Sequence, residues 1–224
     1  MTSILKADTI QDAAGNNIIN ENANTITIGA SGDTITIPAG ATLSNLGTAT
    51  GFAGLTLIKT QTASGASSVE FKNGVSDVVI DSTYAYYRIV GFNITPSEDD
   101  KNIQIQFSTD AGSSYASSGY YTMVQRNTDG TFRSDLNSTG AAMYMNNVGN
   151  DTNEEGAFEF TVFNPSSSSH FTHYQSMGTT RNSGAQIQFF ESGGVYEATS
   201  DIDAFKVFFN SGNISGTFKL YGIK

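Results

Sequence analysis

His170 and His173 are the only histidines in the chain, and no cysteine accompanies them. Metal or nucleophile chemistry would therefore have to start from that pair. On a β-strand a spacing of three turns two side chains to opposite faces, which argues against a shared metal. Carboxylates are more plentiful, at 21 Asp and Glu, and cluster at Glu98-Asp99-Asp100 and at Asp151 with Glu154-Glu155. Both clusters sit beside turn residues and read as solvated loops, and the spaced ligand pattern of an EF-hand calcium site is missing. A glycosidase needs two carboxylates about 5–10 Å apart in a cleft, and no motif marks such a pair. No G-x-S-x-G elbow, phosphate-binding loop or dinucleotide glycine fingerprint occurs. The expectation is a protein that is not an enzyme and has no catalytic residue, metal or cofactor.

Binding is the chemistry the residues suit better. Tyr115, Tyr120, Tyr121, Tyr144, His170, His173, Tyr174 and Arg181 stand among small polar residues, in the intervals Asp110 to Asp151 and His170 to Arg181. Tyr with Ser, Gly and Asn is what binding loops favour, because Tyr gives contact area at low entropic cost. Tryptophan, the preferred platform for sugars, is absent; tyrosine can substitute with its apolar face and polar tip. These eight residues are the candidate ligand-binding set. The same tyrosines could instead pack against a neighbouring subunit.

Charge narrows the partners. With 11 Lys and Arg against 21 Asp and Glu the net charge is −10, and no basic stripe is present to neutralise phosphates. Nucleic acid and anionic membrane surfaces are disfavoured. No apolar run approaches the length of a membrane span. Met1-Thr2-Ser3-Ile4-Leu5 lacks a basic leader region and its apolar run breaks at Lys6, so synthesis without a secretory signal is expected. The sequons at Asn93, Asn137, Asn150 and Asn213 then carry no meaning. Charged residues make up only 14% of the chain, with 23 glycines and 3 prolines. Such a surface of Ser, Thr, Asn and Gly suits β-strands and is poor material for helices.

The elements that must position these residues fall into two parts, 1–50 and 51–224. Residues 1–50 contain no aromatic residue and carry a repeat: Asn24-Thr25-Ile26-Thr27-Ile28-Gly29 returns as Asp33-Thr34-Ile35-Thr36-Ile37-Pro38, with a looser copy in Ala41-Thr42-Leu43-Ser44-Asn45-Leu46. Alternating Thr and Ile predicts short strands with one apolar face. Burying six aliphatic side chains does not offset the entropy of ordering the segment. Ile26, Ile28, Ile35, Ile37, Leu43 and Leu46 are therefore expected to meet their equivalents around a threefold axis.

From Leu55 onward the pattern predicts an antiparallel β domain. Strands are expected at Leu55–Thr60, Ser68–Phe71, Val78–Ile80, Tyr84–Phe92, Ile103–Ser108, Ala157–Phe163, Ile187–Phe190, Phe205–Phe209 and Gly216–Ile223. Tyr84–Phe92 is apolar enough to be central. The interval Thr109 to Gly156 reads as long polar loops, where recognition surface is expected. The fold class is all-β: a repetitive trimeric β shaft or arm followed by an antiparallel, jelly-roll-like β-sandwich.

Three stretches resemble bacteriophage tail-fibre and related virion structural proteins, particularly those of marine podophages. Ser3-Ile4-Leu5-Lys6-Ala7-Asp8-Thr9-Ile10-Gln11-Asp12-Ala13-Ala14-Gly15, with the Thr-Ile repeat after it, looks like the N-terminal shaft. Phe107-Ser108-Thr109-Asp110-Ala111-Gly112-Ser113-Ser114-Tyr115 and Ser215-Gly216-Thr217-Phe218-Lys219-Leu220-Tyr221-Gly222 look like the C-terminal β domain. The resemblance implies a virion location and a homotrimer that joins other virion proteins through its N-terminal segment and presents its C-terminal domain outward. Three roles are compatible with it: a fibre subunit that attaches to a host-surface glycan, a capsid-decorating head fibre or cement protein anchored by its N-terminal arm, and a small depolymerase.

Overall fold

Among the described residues, most of the segments with period-two alternation form strands. A computed structural model describes residues 54–224, together with Thr9–Gln11, Ala13, Asn17–Asn22, Thr25–Ile28, Gly32 and Thr34. Among the described residues there is no helix. The chain divides into two units, Met1–Phe52 and Ala53–Lys224.

In the first unit β1 (Thr9–Gln11), β2 (Asn17–Asn22) and β3 (Thr25–Ile28) form an antiparallel sheet in that order. β3 is the first copy of the Thr-Ile repeat. It pairs with the strand before it, Ile28 opposite Ile19 and Ile26 opposite Glu21. Ile35, Ile37, Leu43 and Leu46 lie outside the described residues.

The second unit is a sandwich of two antiparallel sheets. Its strands are β4 (Leu55–Ala66), β5 (Val69–Lys72), β6 (Tyr86–Pro96), β7 (Lys101–Ser108), β8 (Tyr120–Thr128), β9 (Thr131–Gly140), β10 (Met143–Val148), β11 (Gly156–Phe163), β12 (Thr172–Arg181), β13 (Ile187–Tyr196), β14 (Ala204–Phe209) and β15 (Ile214–Ile223). The larger sheet runs β4-β15-β6-β11-β12-β13-β8-β9 and the smaller β10-β7-β14-β5. The segment Tyr84–Phe92 supplies the interior strand β6, held between β15 and β11.

The inner faces meet over an aromatic and aliphatic core. Phe107 stands at its middle, with the rings of Tyr120, Phe160, Tyr174, Tyr196 and Phe205 at 5.6–6.3 Å between centroids. These tilted and edge-on arrangements are the ones the ring quadrupoles favour. Val78 and Ile80 are buried in that core, but from a loop rather than the strand expected there.

The interval Thr109 to Gly156 is a second departure. It holds three strands, β8, β9 and β10, in place of long loops. Asp129 and Gly130 both take positive φ, 45° and 87°, and link Thr128 to Thr131 as a two-residue hairpin turn. Asp-Gly is the pair that such a turn selects, since both positions need left-handed backbone.

Two sheets of unequal width cannot cover one another fully. β10, an edge of the smaller sheet, lies against β8, β12 and β13. Beyond it the smaller sheet has no further strand with which to cover the β8–β9 hairpin.

Candidate functional site

That uncovered step forms a groove of about 490 Å³, within the usual range for small-ligand sites of about 300–1,000 Å³. Arg126 and Thr128 of β8, Thr131 and Arg133 of β9, and Gln188 of β13 form one side. Tyr144 and Asn147 of β10 and Asn102 of β7 form another, and Asp100 with Asn182 and Gln186 in two turns closes the end. Every lining residue can donate or accept a hydrogen bond, and Tyr144 is the one aromatic ring among them.

The groove is held from beneath by a buried polar network. Asn146, Thr180 and Gln188 are buried between the sheets. Asn146 Nδ2 donates to Gln188 Oε1 at 3.0 Å, Thr180 Oγ1 donates to the same oxygen at 3.1 Å, and Gln188 Nε2 donates to Thr128 Oγ1 at 3.3 Å. Arg126 donates to the Tyr144 hydroxyl at 3.1 Å and pairs with Asp135 at 3.0 Å. The Tyr144 ring and the Arg126 guanidinium are thereby set before any ligand arrives, which spares the entropy of ordering them on binding.

The closed end is set in the same way. Asn182 Oδ1 accepts from the backbone N–H groups of Gly184 and Gln186 at 3.1 and 3.0 Å, and its amide donates to Gln186 Oε1 at 3.0 Å. Ser183 donates to Asp100 through its N–H at 3.0 Å and its hydroxyl at 2.5 Å, and Asn147 Nδ2 adds a third bond at 2.9 Å. Burial opposes ionisation of Asp100, but the Ser183 and Asn147 bonds with the nearby Lys101 charge outweigh it. The carboxyl is held below its ordinary pKa.

Of the eight residues expected to bind ligand, only Tyr144 lines this groove. Tyr120 and Tyr174 are core side chains and cannot meet a ligand at the surface. Tyr120 accepts from the Phe107 N–H at 2.8 Å, and Tyr174 donates to the Tyr121 carbonyl at 2.9 Å. Burial raises the pKa of both phenols. Tyr121 and His173 face outward from the larger sheet, and His170 is exposed in the turn before β12.

Arg181 donates from Nε to the Ala185 carbonyl at 2.8 Å, bracing the turn rather than entering the groove. Tyr115 is half-buried with Lys206 over its ring at 4.6 Å, and its phenol is pushed up first by burial and then by the Glu70 carboxylate. Arg126, Arg133, Asn102, Asn147, Gln186 and Gln188 were not singled out by sequence reasoning. They lie far apart in the chain, and no local pattern gathers them.

Among the described residues no group of three or more His, Asp or Glu side chains is placed to hold a metal ion. No family model, curated protein or solved structure matches the chain.

Proposed function

We propose that the chain is a non-enzymatic phage virion protein, a homotrimeric fibre subunit whose jelly-roll-like C-terminal domain attaches to a host-surface glycan. The observation that carries the binding role is the groove beside β10. Small-molecule sites are ordinarily apolar with a few polar groups; this one is polar throughout. A hydroxyl-rich ligand can satisfy such a lining, whereas an apolar one would leave it desolvated and unpaired. The amides of Asn102, Asn147 and Gln186 each offer a donor and an acceptor, as neighbouring sugar hydroxyls require.

Glycan-array binding by the purified chain tests this reading. Thr131→Trp, made at an exposed strand position, fills the groove and should abolish binding while the melting temperature holds. A folded variant that binds as well as the parent would refute the assignment. Incubation with host envelope polysaccharide should release no reducing ends, in contrast to a depolymerase.

The outer face of the larger sheet supports the homotrimer. Leu136, Ile187 and Phe132 are 69%, 68% and 64% exposed, and Met123, Met177 and Phe189 are exposed on the same face. An apolar surface of this kind marks an interaction site. A second copy is the occupant that charge favours. The chain carries −10, yet the centre of this face is balanced: Arg88 pairs with Glu159 at 3.5 Å, with Lys219 on a strand to one side and Glu191 on a strand to the other. A head-to-tail contact sets one side against the opposite side of the next copy, as cyclic symmetry requires. The N-terminal sheet and the Thr-Ile repeat are assigned to the shaft and to attachment to other virion proteins.

A further inference from the structure

We propose that the groove selects a glycan bearing a carboxylate, such as a uronic acid, and that Arg133 is the residue that holds it. This rests on the glycan-binding reading of the groove. Arg126 and Arg133 occupy directly opposed positions on β8 and β9, where side chains start roughly 5 Å apart, and like charges placed so repel one another. Both line the groove. On a chain with 11 basic residues and a net charge of −10, the carboxylates at this groove, Asp100 and Asp135, are matched by two facing arginines.

The two differ in what they touch. Arg126 is engaged by Asp135 and Tyr144. Asp135 lies on the same face of β9 as Arg133, two residues on, yet its carboxylate is given to Arg126. Among the described residues Arg133 has neither a carboxylate partner nor a side-chain hydrogen bond. The remaining acid of the groove, Asp100, has both oxygens occupied by Ser183 and Asn147. The unspent group is a planar guanidinium, whose fork matches a carboxylate in a bidentate pair. Asn102, Gln186 and Thr131 of the same groove are neutral and suit hydroxyls. Polymers of dense phosphate charge are disfavoured by the chain's own field, whereas a single carboxylate among neutral sugars meets mainly Arg133.

Three matched pairs of methyl glycosides test the inference: glucuronide with glucoside, galacturonide with galactoside, and mannuronide with mannoside. Binding is followed by NMR through the arginine side-chain Nε–H signals. In at least one pair the acidic member should bind about tenfold tighter or more and shift the Arg133 signal. Arg133→Gln should remove that preference while weak binding of the neutral member persists, and Arg133→Lys should restore part of it. The Arg133→Gln protein should melt no lower than the parent, since the change relieves repulsion. Equal affinity within every pair would overturn the carboxylate inference and leave the glycan reading standing. Failure of all six glycosides to bind would overturn both. A preference that survives Arg133→Gln would overturn the role of Arg133.

Discussion

Asn146 Nδ2 donates to Gln188 Oε1 across 3.0 Å, so two buried amides tie an edge strand of the smaller sheet to a strand of the larger one. Removing either partner leaves the other buried and short of a hydrogen bond. Asn146→Ala should cost about 1–3 kcal/mol, and for a protein of this size each kcal/mol lowers the melting temperature by about 2–4 °C. Because Arg126 and Tyr144 stand over this network, glycan binding should weaken as well. A variant with unchanged melting temperature would show that the network is not structural.

Tyr120 gives a contrasting case. Its hydroxyl accepts from the Phe107 N–H inside the core. Tyr120→Phe should destabilise the domain by about 1–3 kcal/mol through that unpaired N–H and leave glycan affinity intact. Tyr120→Ala should cost more, about 3–5 kcal/mol, because a cavity opens. Denaturant unfolding with parallel binding measurements separates the effects; lost affinity in a stable Tyr120→Phe protein would contradict the core assignment.

Asp110 predicts a pH response. The Ser114 hydroxyl and N–H, with the Ser108 hydroxyl, hold its carboxyl down to about 2 from an ordinary 3.8. The folded form binds fewer protons than the unfolded one, so the turn's stabilisation is complete above pH 3.8 and is lost as pH falls through about 2. The carboxyl carbon of Asp110 should titrate by NMR near 2. A midpoint at the ordinary value would rule out the cage of hydrogen bonds. This also gives Phe107–Tyr115 a structural meaning: the serines around Asp110 build the turn that leads out of β7.

The exposed sheet face yields a fourth expectation. Phe132→Ser with Leu136→Ser removes two large apolar groups from an edge strand without touching the core. Sedimentation should show a shift from trimer toward monomer with the domain still folded. A trimer of unchanged stability would place the interface elsewhere, in the residues that include Ile26 and Ile28.

The strands legible in the sequence are those whose inner faces are apolar. Ile103, Ile105 and Phe107, or Phe158, Phe160 and Val162, alternate with polar residues and point to one core. β8, β9 and β12 are hard to read because polar residues interrupt their inner faces, Thr122, Arg126 and Thr128 on the first, Arg133 and Asp135 on the second, Ser176 and Thr180 on the third; β10 is short and its pairing register shifts between Tyr144 and Asn147. Period-two reading registers apolarity, so a strand whose core-facing positions are partly polar looks like a loop. Only Asp129-Gly130, a hairpin signal in its own right, betrays the region. The groove was legible in one residue, Tyr144, since its other walls come from strands brought together only by pairing across the sheets.

Pairing order also has a consequence for synthesis. β15 lies between β4 and β6, and Ser215 bonds to Gly65, 150 residues earlier. At translation rates of roughly 5–20 residues per second, β4 leaves the ribosome about 8–30 s before the strand that will cover its edge. During that wait it is an unpaired template for neighbouring nascent chains. Its run of Lys59, Thr60, Gln61, Thr62, Ser64 and Gly65 is weakly aggregating material, which confines the hazard of that wait to the opening Leu55-Thr56-Leu57-Ile58.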